Sequence, residues 1–130
     1  AQQVQRDYGT DKVFLSGDFN AYTREDPMQV LHDAGYTDIG SALAPQDHTY
    51  LFGGLVGSLD HVLGNAPAMA TVTGARVWNI NSVEPVALEY SRYHYNATDF
   101  YAPTPYRASD HDPLLVGTAC RCGAMHAAVR

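Results

Sequence analysis

Cysteine is scarce in this 130-residue chain, basic side chains are outnumbered, and long apolar runs are missing. The only cysteines, Cys120 and Cys122, stand two apart near the C-terminus. Two thiols cannot build a disulfide framework, and without a second pair they do not form a structural zinc site. They read as plain tail thiols, against which stand a strained local disulfide or a metal clip. Eight Lys plus Arg face 14 Asp plus Glu, for a formal net charge of −6. Such a chain cannot gather polyphosphate by bulk attraction, so any nucleic-acid contact has to be local or bridged by cations. No stretch approaches the roughly 18 apolar residues of a membrane span. The opening Ala1-Gln2-Gln3-Val4-Gln5 lacks the basic and apolar regions of a signal peptide. The expectation is a chain that neither crosses a membrane nor carries its own export signal.

What is present argues for a packed core. Hydrophobic residues make up 45% and charged residues 17%, with 9 Tyr, 4 Phe and 1 Trp, which excludes disordered, collagen-like and coiled-coil classes. The length suits one domain or part of one.

Along the chain, Asp11 to Ser16 is a short apolar run ended by Gly17 and predicts a buried strand that stops at Asp18-Phe19-Asn20. Asp26 before Pro27 reads as an N-cap, and Met28, Val30, Leu31 and Ala34 mark one face of a helix that Gly35 terminates. Thr37 to Asp47 shows no period and predicts a surface loop. His48 to Phe52 predicts a strand, turned by Gly53-Gly54 into a partner strand over Leu55 to Leu63, so that His48 and Tyr50 lie beside the Asp60 segment. Ala66 to Ala70 suggests a helical turn, Thr71 to Ile80 a strand, Glu84-Pro85 the start of a short segment, and Leu114 to Gly117 a final buried strand. Tyr90 to Tyr106 reads as a long aromatic loop, with a glycosylation sequon at Asn96-Ala97-Thr98. Residues 120–130 read as a tail.

Three segments set acid, amide or imidazole groups beside short strands: Gly17-Asp18-Phe19-Asn20, Ser58-Leu59-Asp60-His61 and Ser109-Asp110-His111-Asp112-Pro113. Each alone is weak, because an Asp after Gly or before Pro commonly forms a turn. As a set, in this order, the segments resemble the endonuclease/exonuclease/phosphatase superfamily, the deoxyribonuclease I-like fold, and within it the bacterial extracellular nuclease branch. Glu25-Asp26-Pro27, Ala34-Gly35-Tyr36-Thr37-Asp38 and Asn79-Ile80-Asn81 leading into Glu84 to Leu88 add secondary matches. The resemblance spans about residues 11–118.

That resemblance implies an α/β (α+β) fold: the C-terminal half, residues 1–119, of a four-layer α/β sandwich whose mixed β-sheet is flanked by helices. It implies a divalent-metal-dependent phosphoester hydrolase, foremost a nuclease acting on DNA or RNA. A phosphomonoesterase, a phospholipid-type esterase and a noncatalytic half-domain binding module are the alternatives. By resemblance, Asp18 orients or deprotonates the attacking water and Asn20 donates its amide to the phosphate. His111 contacts the phosphate, Asp60 accepts the other ring N–H of His111, and Asp110 binds Mg²⁺ or Mn²⁺, with Ca²⁺ as a third candidate. Tyr50, Arg92 and Arg107 are candidates for substrate contacts. His61, next to Asp60 and hence on the opposite strand face, is expected to be structural. The family's N-terminal half, with its metal-binding Glu, has no counterpart here, so the resemblance implies a partner: the missing N-terminal half-domain or a second copy forming a homodimer. It also implies a secreted or periplasmic location.

Overall fold

The computed structural model describes residues 2–89 and 98–119. A short helix α1 (Gln2–Tyr8) leads into β1 (Phe14–Asp18). Helix α2 (Asp26–Asp33) follows, then β2 (Tyr36–Asp38), α3 (Ile39–Leu43), β3 (Tyr50–Phe52), β4 (Leu55–Gly57) and β5 (Asp60–Asn65). The chain continues through α4 (Ala66–Met69), β6 (Val72–Val77), a 3₁₀ turn at Val86–Leu88 and β7 (Leu114–Thr118). The class is α+β. Among the described residues every strand pair is antiparallel, in three small sheets ordered β1-β5-β2, β3-β4 and β6-β7. The mixed sheet expected from sequence is therefore not what these residues form. No described helix is long and apolar enough to cross a membrane.

The first sheet organises the rest. In β5, His61 and Leu63 turn to the buried side while Asp60 and Val62 face the other way, as strand alternation requires. Leu63 meets Met28 of α2 and Ala21 in a cluster closed by Leu15, Phe19, Leu31 and Tyr36. Burying Met28 and Leu63 contributes roughly 2 kcal/mol each by the area removed from water. The helix forms where the apolar spacing placed it, but it begins at Asp26, with Glu25 as the cap residue and Pro27 in the first turn. Asp26 is thus an acidic first-turn residue suited to the helix dipole rather than the cap itself.

Three further expectations give way. Of residues 37–47 only 44–47 form a loop: Tyr36–Asp38 pairs with β5 in the register Tyr36↔Asn65, and Asp38 then caps α3 by accepting from the Gly40 N–H at 3.1 Å. Both elements are too short to show a period. The expected strand from Leu55 to Leu63 breaks at Ser58-Leu59, so β4 pairs with β3 while β5 joins the first sheet. His48 and Tyr50 consequently do not lie on a strand paired to Asp60. Third, β1 and β7 are not buried on both faces. Phe14 is 38% and Leu115 51% exposed, because only one face of each short sheet is covered.

The β3-β4 hairpin turns at Gly53 and Gly54, whose φ angles of +59° and +81° belong to the left-handed region that both central residues of a type I′ turn require. Past the turn, Gly57 lies under the Tyr22 ring, where a β-carbon would sit 2.6 Å from ring carbons, so any larger residue would have to displace that ring.

Much of the interior is polar. Asp112, 2% exposed, accepts hydrogen bonds from the backbone N–H groups of Ile80 (2.9 Å), Asn81 (2.7 Å) and Ser82 (3.2 Å) and from the Ser82 hydroxyl. Asn65 caps α4 through the Ala68 N–H and also ties the start of β1 by accepting from the Val13 N–H and donating to the Asp11 carbonyl. A buried carboxylate with four donors is stabilising only while every donor stays engaged. Asp112→Ala is therefore expected to lower unfolding free energy by on the order of 3 kcal/mol, since it orphans the buried N–H groups of Asn81 and Ser82 and the Ser82 hydroxyl, while the Ile80 N–H keeps the Trp78 carbonyl as a second acceptor. Asp110→Ala, at an exposed position two residues away, leaves the urea midpoint nearly unchanged. Equal midpoints for the two variants would contradict the anchoring role of Asp112.

Candidate active site

The end of the first sheet collects the charges. The β1-β5 register puts Asp18 directly opposite Asp60. Like charges facing each other across an antiparallel pair repel, so a cation or donor at this end of the sheet is stabilising. His111 supplies one: its Nδ1–H donates to Asp60 Oδ2 at 2.7 Å, with both side chains 23% exposed. One ligand-capable atom each from Asp18, Asp60 and His111 lies within 4.8 Å of the others.

Each member is held from its own side. Asp18 Oδ1 accepts from the Asn20 backbone N–H at 2.7 Å, closing a tight turn in which Asn20 adopts φ +49°. Asn tolerates this left-handed conformation better than most residues, and Asn20 is exposed one turn from Asp18. His111 is clamped by several groups. Its backbone N–H donates to Ser109 Oγ at 3.1 Å and its carbonyl accepts from Asn81 Nδ2 at 2.7 Å. The ring lies 4.6 Å from that of Tyr50, tilted 40°, and the two residues form an isolated antiparallel bridge. Phe52 stacks on the other flank of Tyr50 at 6.3 Å. With Nδ1 committed to Asp60, Nε2 of His111 has no hydrogen-bond partner among the described residues and is available to a substrate.

The arrangement brings Asp18, Asp60 and His111 together with Asn20 beside them, and Tyr50 packs against the imidazole. Asp110, expected as the metal carboxylate, is not one of the three clustered groups; it is exposed in the bend that precedes the His111 bridge. Arg107, a candidate for substrate contact, faces inward instead. It is 7% exposed, with φ +54°, and its Nη1 donates to the carbonyls of Asn81 (2.8 Å) and Ser82 (3.3 Å) while Nη2 lies 3.6 Å from Glu89. Its charge is spent on the 80–82 turn. Arg92, Cys120, Cys122 and the sequon's Asn96 lie outside the described residues.

Two carboxylates at this spacing, one keeping a second oxygen beyond its bond to His111, suit a hard divalent cation that retains waters, such as Mg²⁺ or Mn²⁺. Asp18 and Asp60 are the residues that would hold it.

Behind the site, on the buried face of β5, a second Asp–His pair does structural work. His61 is 1% exposed; its Nδ1 donates to Asp38 Oδ2 and its Nε2 to the Ala21 carbonyl, both at 3.0 Å, and the Phe19 ring packs edge-on against it. Two acceptors require protons on both ring nitrogens. Burial alone would push the His61 imidazole down and the Asp38 carboxyl up. The mutual hydrogen bond, the Ser41 hydroxyl on Asp38 and the Ala21 and Ser58 backbone on His61 outweigh it, leaving His61 above its ordinary 6.5 and Asp38 below its ordinary 3.8. The structural assignment of His61 agrees with the alternation argument.

Sequence reasoning passes over Thr49, and it includes Asp38 and Asn81 only within secondary matching segments, without a role for either. The importance of all three comes from contacts made across the fold. Compared with known proteins, the chain matches no family model, no curated sequence and no solved structure.

The Asp38–His61 pair sets a pH window. The raised His61 contributes stability that is complete below 6.5 and lost as pH rises through its folded value; the lowered Asp38 contributes stability complete above 3.8 and lost as pH falls through its folded value. The melting-temperature loss in Asp38→Asn should thus be largest between about pH 4 and 6.5 and shrink on either side. A loss that grows steadily from pH 6.5 to pH 9 would falsify the ionised pair.

Proposed function

We propose that this chain is the C-terminal half of a deoxyribonuclease I-like, divalent-metal-dependent phosphodiesterase whose substrate is DNA or RNA. The observation that carries the reading is the 2.7 Å Asp60–His111 hydrogen bond with Asp18 directly across the strand pair. The three motif segments, far apart in sequence, meet at this point.

The residues divide the labour by charge and reach. Asp60 fixes the His111 tautomer, so that Nε2 faces the phosphate and favours the developing charge on its oxygens. Asp18, exposed and bonded among the described residues to the Asn20 N–H, orients the attacking water and takes its proton. The Asn20 amide donates to a non-bridging oxygen. A divalent cation held by the carboxylates supplies positive charge where phosphoryl oxygens become more negative, and it relieves the Asp18–Asp60 repulsion.

The same reading gives the open sheet face a second polypeptide, either an N-terminal half-domain or another copy. In β1, Phe14, Ser16 and Asp18 share the face opposite to Leu15, which packs in the core. Trp78 and Leu115 are each 51% exposed as well. Such apolar surface beside a site is a contact region rather than a solvent surface. The expected interface is large and apolar, roughly 2,000 Å². Light scattering should find the chain self-associated or binding an apolar dye, whereas a dye-silent monomer would remove this part of the reading.

Activity is tested with plasmid DNA, RNA and a chromogenic phosphodiester in Mg²⁺ or Mn²⁺, with chelation as control. His111→Ala and Asp18→Ala should each lower kcat by on the order of 10²-fold or more. A folded His61→Gln variant should lose less. No metal-dependent cleavage of any of these substrates would argue for a noncatalytic module, and equal losses at His61 and His111 would place the working imidazole on the wrong side of β5.

A further inference from the structure

Thr49 stands at the junction of the segments that deliver Asp60 and His111, and it is not part of any motif. It is 1% exposed. Its Oγ1 accepts from the backbone N–H groups of Leu59 and Asp60, each at 3.2 Å. Its carbonyl accepts from the Asp112 N–H at 2.7 Å, and its own N–H donates to the Gly57 carbonyl at 3.1 Å. The next residue, Tyr50, bridges His111 and packs on its ring. One residue therefore bonds to the backbone of Asp60, to the backbone following His111 and to the end of the β3-β4 hairpin.

The side-chain bonds fall where the chain has no ladder of its own. Ser58 and Leu59 form the break between β4 and β5, and the Thr49 hydroxyl takes the two N–H groups on entry to β5. Without it, the Asp60 backbone loses a buried acceptor at the end of β5 that carries the carboxylate.

We propose that Thr49 is a positioning residue: its buried hydroxyl sets the entry of β5 so that Asp60 Oδ2 meets His111 Nδ1. It touches neither substrate nor cation, and acts only through Asp60. The inference rests on the phosphodiesterase reading for its kinetic arm, while its geometric arm stands apart from it.

Thr49→Val keeps the shape and removes the hydroxyl; Thr49→Ser keeps the hydroxyl and removes the methyl. The first readout is the His111 ring N–H proton resonance in ¹⁵N-histidine-labelled protein, assigned by its loss in His111→Gln. It should be present and downfield in wild type and in Thr49→Ser, and lost or broadened by exchange in Thr49→Val. The second is turnover of the chromogenic phosphodiester, measured well below the melting temperature of each variant. Here kcat should fall about 10- to 100-fold in Thr49→Val, with KM changed less than about twofold, and Thr49→Ser should recover most of the loss. Should Thr49→Val not fold, Thr49→Ala, which leaves room for a water, is measured in its place with the same expectation of a weakened ring-proton signal. A folded variant without the hydroxyl that keeps both the resonance and the wild-type kcat overturns the proposal. A wild type with the resonance and no turnover overturns the phosphodiesterase reading and leaves Thr49 to be judged on the resonance alone.

Discussion

The Asp112 carboxylate, buried among the N–H groups of three successive residues, is the constraint around which the C-terminal part of this fold is arranged. Without these bonds the 80–82 turn would carry buried, unpaired donors, and with them it becomes a fixed platform. Asn81 projects from that platform to hold both the His111 carbonyl and the Ala108 N–H, while Arg107 closes it from the far side. The position of the site imidazole is thus determined two steps away, by a carboxylate that never reaches the site. Short strands and a small apolar cluster supply modest hydrophobic stabilisation, so satisfied buried polar groups decide which single arrangement the chain adopts.

Strand β5 separates two Asp–His pairs of opposite character. On one side Asp60 and His111 stay partly exposed, and one imidazole nitrogen has no hydrogen-bond partner among the described residues. On the other, Asp38 and His61 are sealed in, with both ring nitrogens occupied. The same two residue types do different work because of what remains unsatisfied. A closed pair stabilises, while an open pair beside a second carboxylate has bonding capacity for a substrate.

Legibility in the sequence followed the range of the interactions. The α2 helix, the glycine hairpin turn, the short helix at Ala66 and the strands at Phe14 and Leu114 carry local signals, and these elements appear about where composition and spacing put them. Asp18, Asp60 and His111 were recognisable because they sit in distinctive segments. Strand β2 and helix α3 were missed, since each is held by a partner distant in sequence: Asn65 for one, and the Asp38 cap that His61 fixes for the other. Arg107 was misread for a related reason, as no local feature distinguishes a surface arginine from one folded inward onto backbone carbonyls. The extent of burial was also over-read, because an apolar strand announces that it needs cover and not whether this chain provides it.

The alternation of Asp60 and His61 along β5 has a consequence for how such a chain can change over generations. Adding or deleting one residue at the entry to this strand would exchange the two faces, bringing an imidazole to the Asp18 side and a carboxylate to the apolar side against Met28 and Leu63. Neither would find its partner. The strand can therefore accept substitutions but not length changes, and drift in length is confined to segments outside the paired strands and their tight turn.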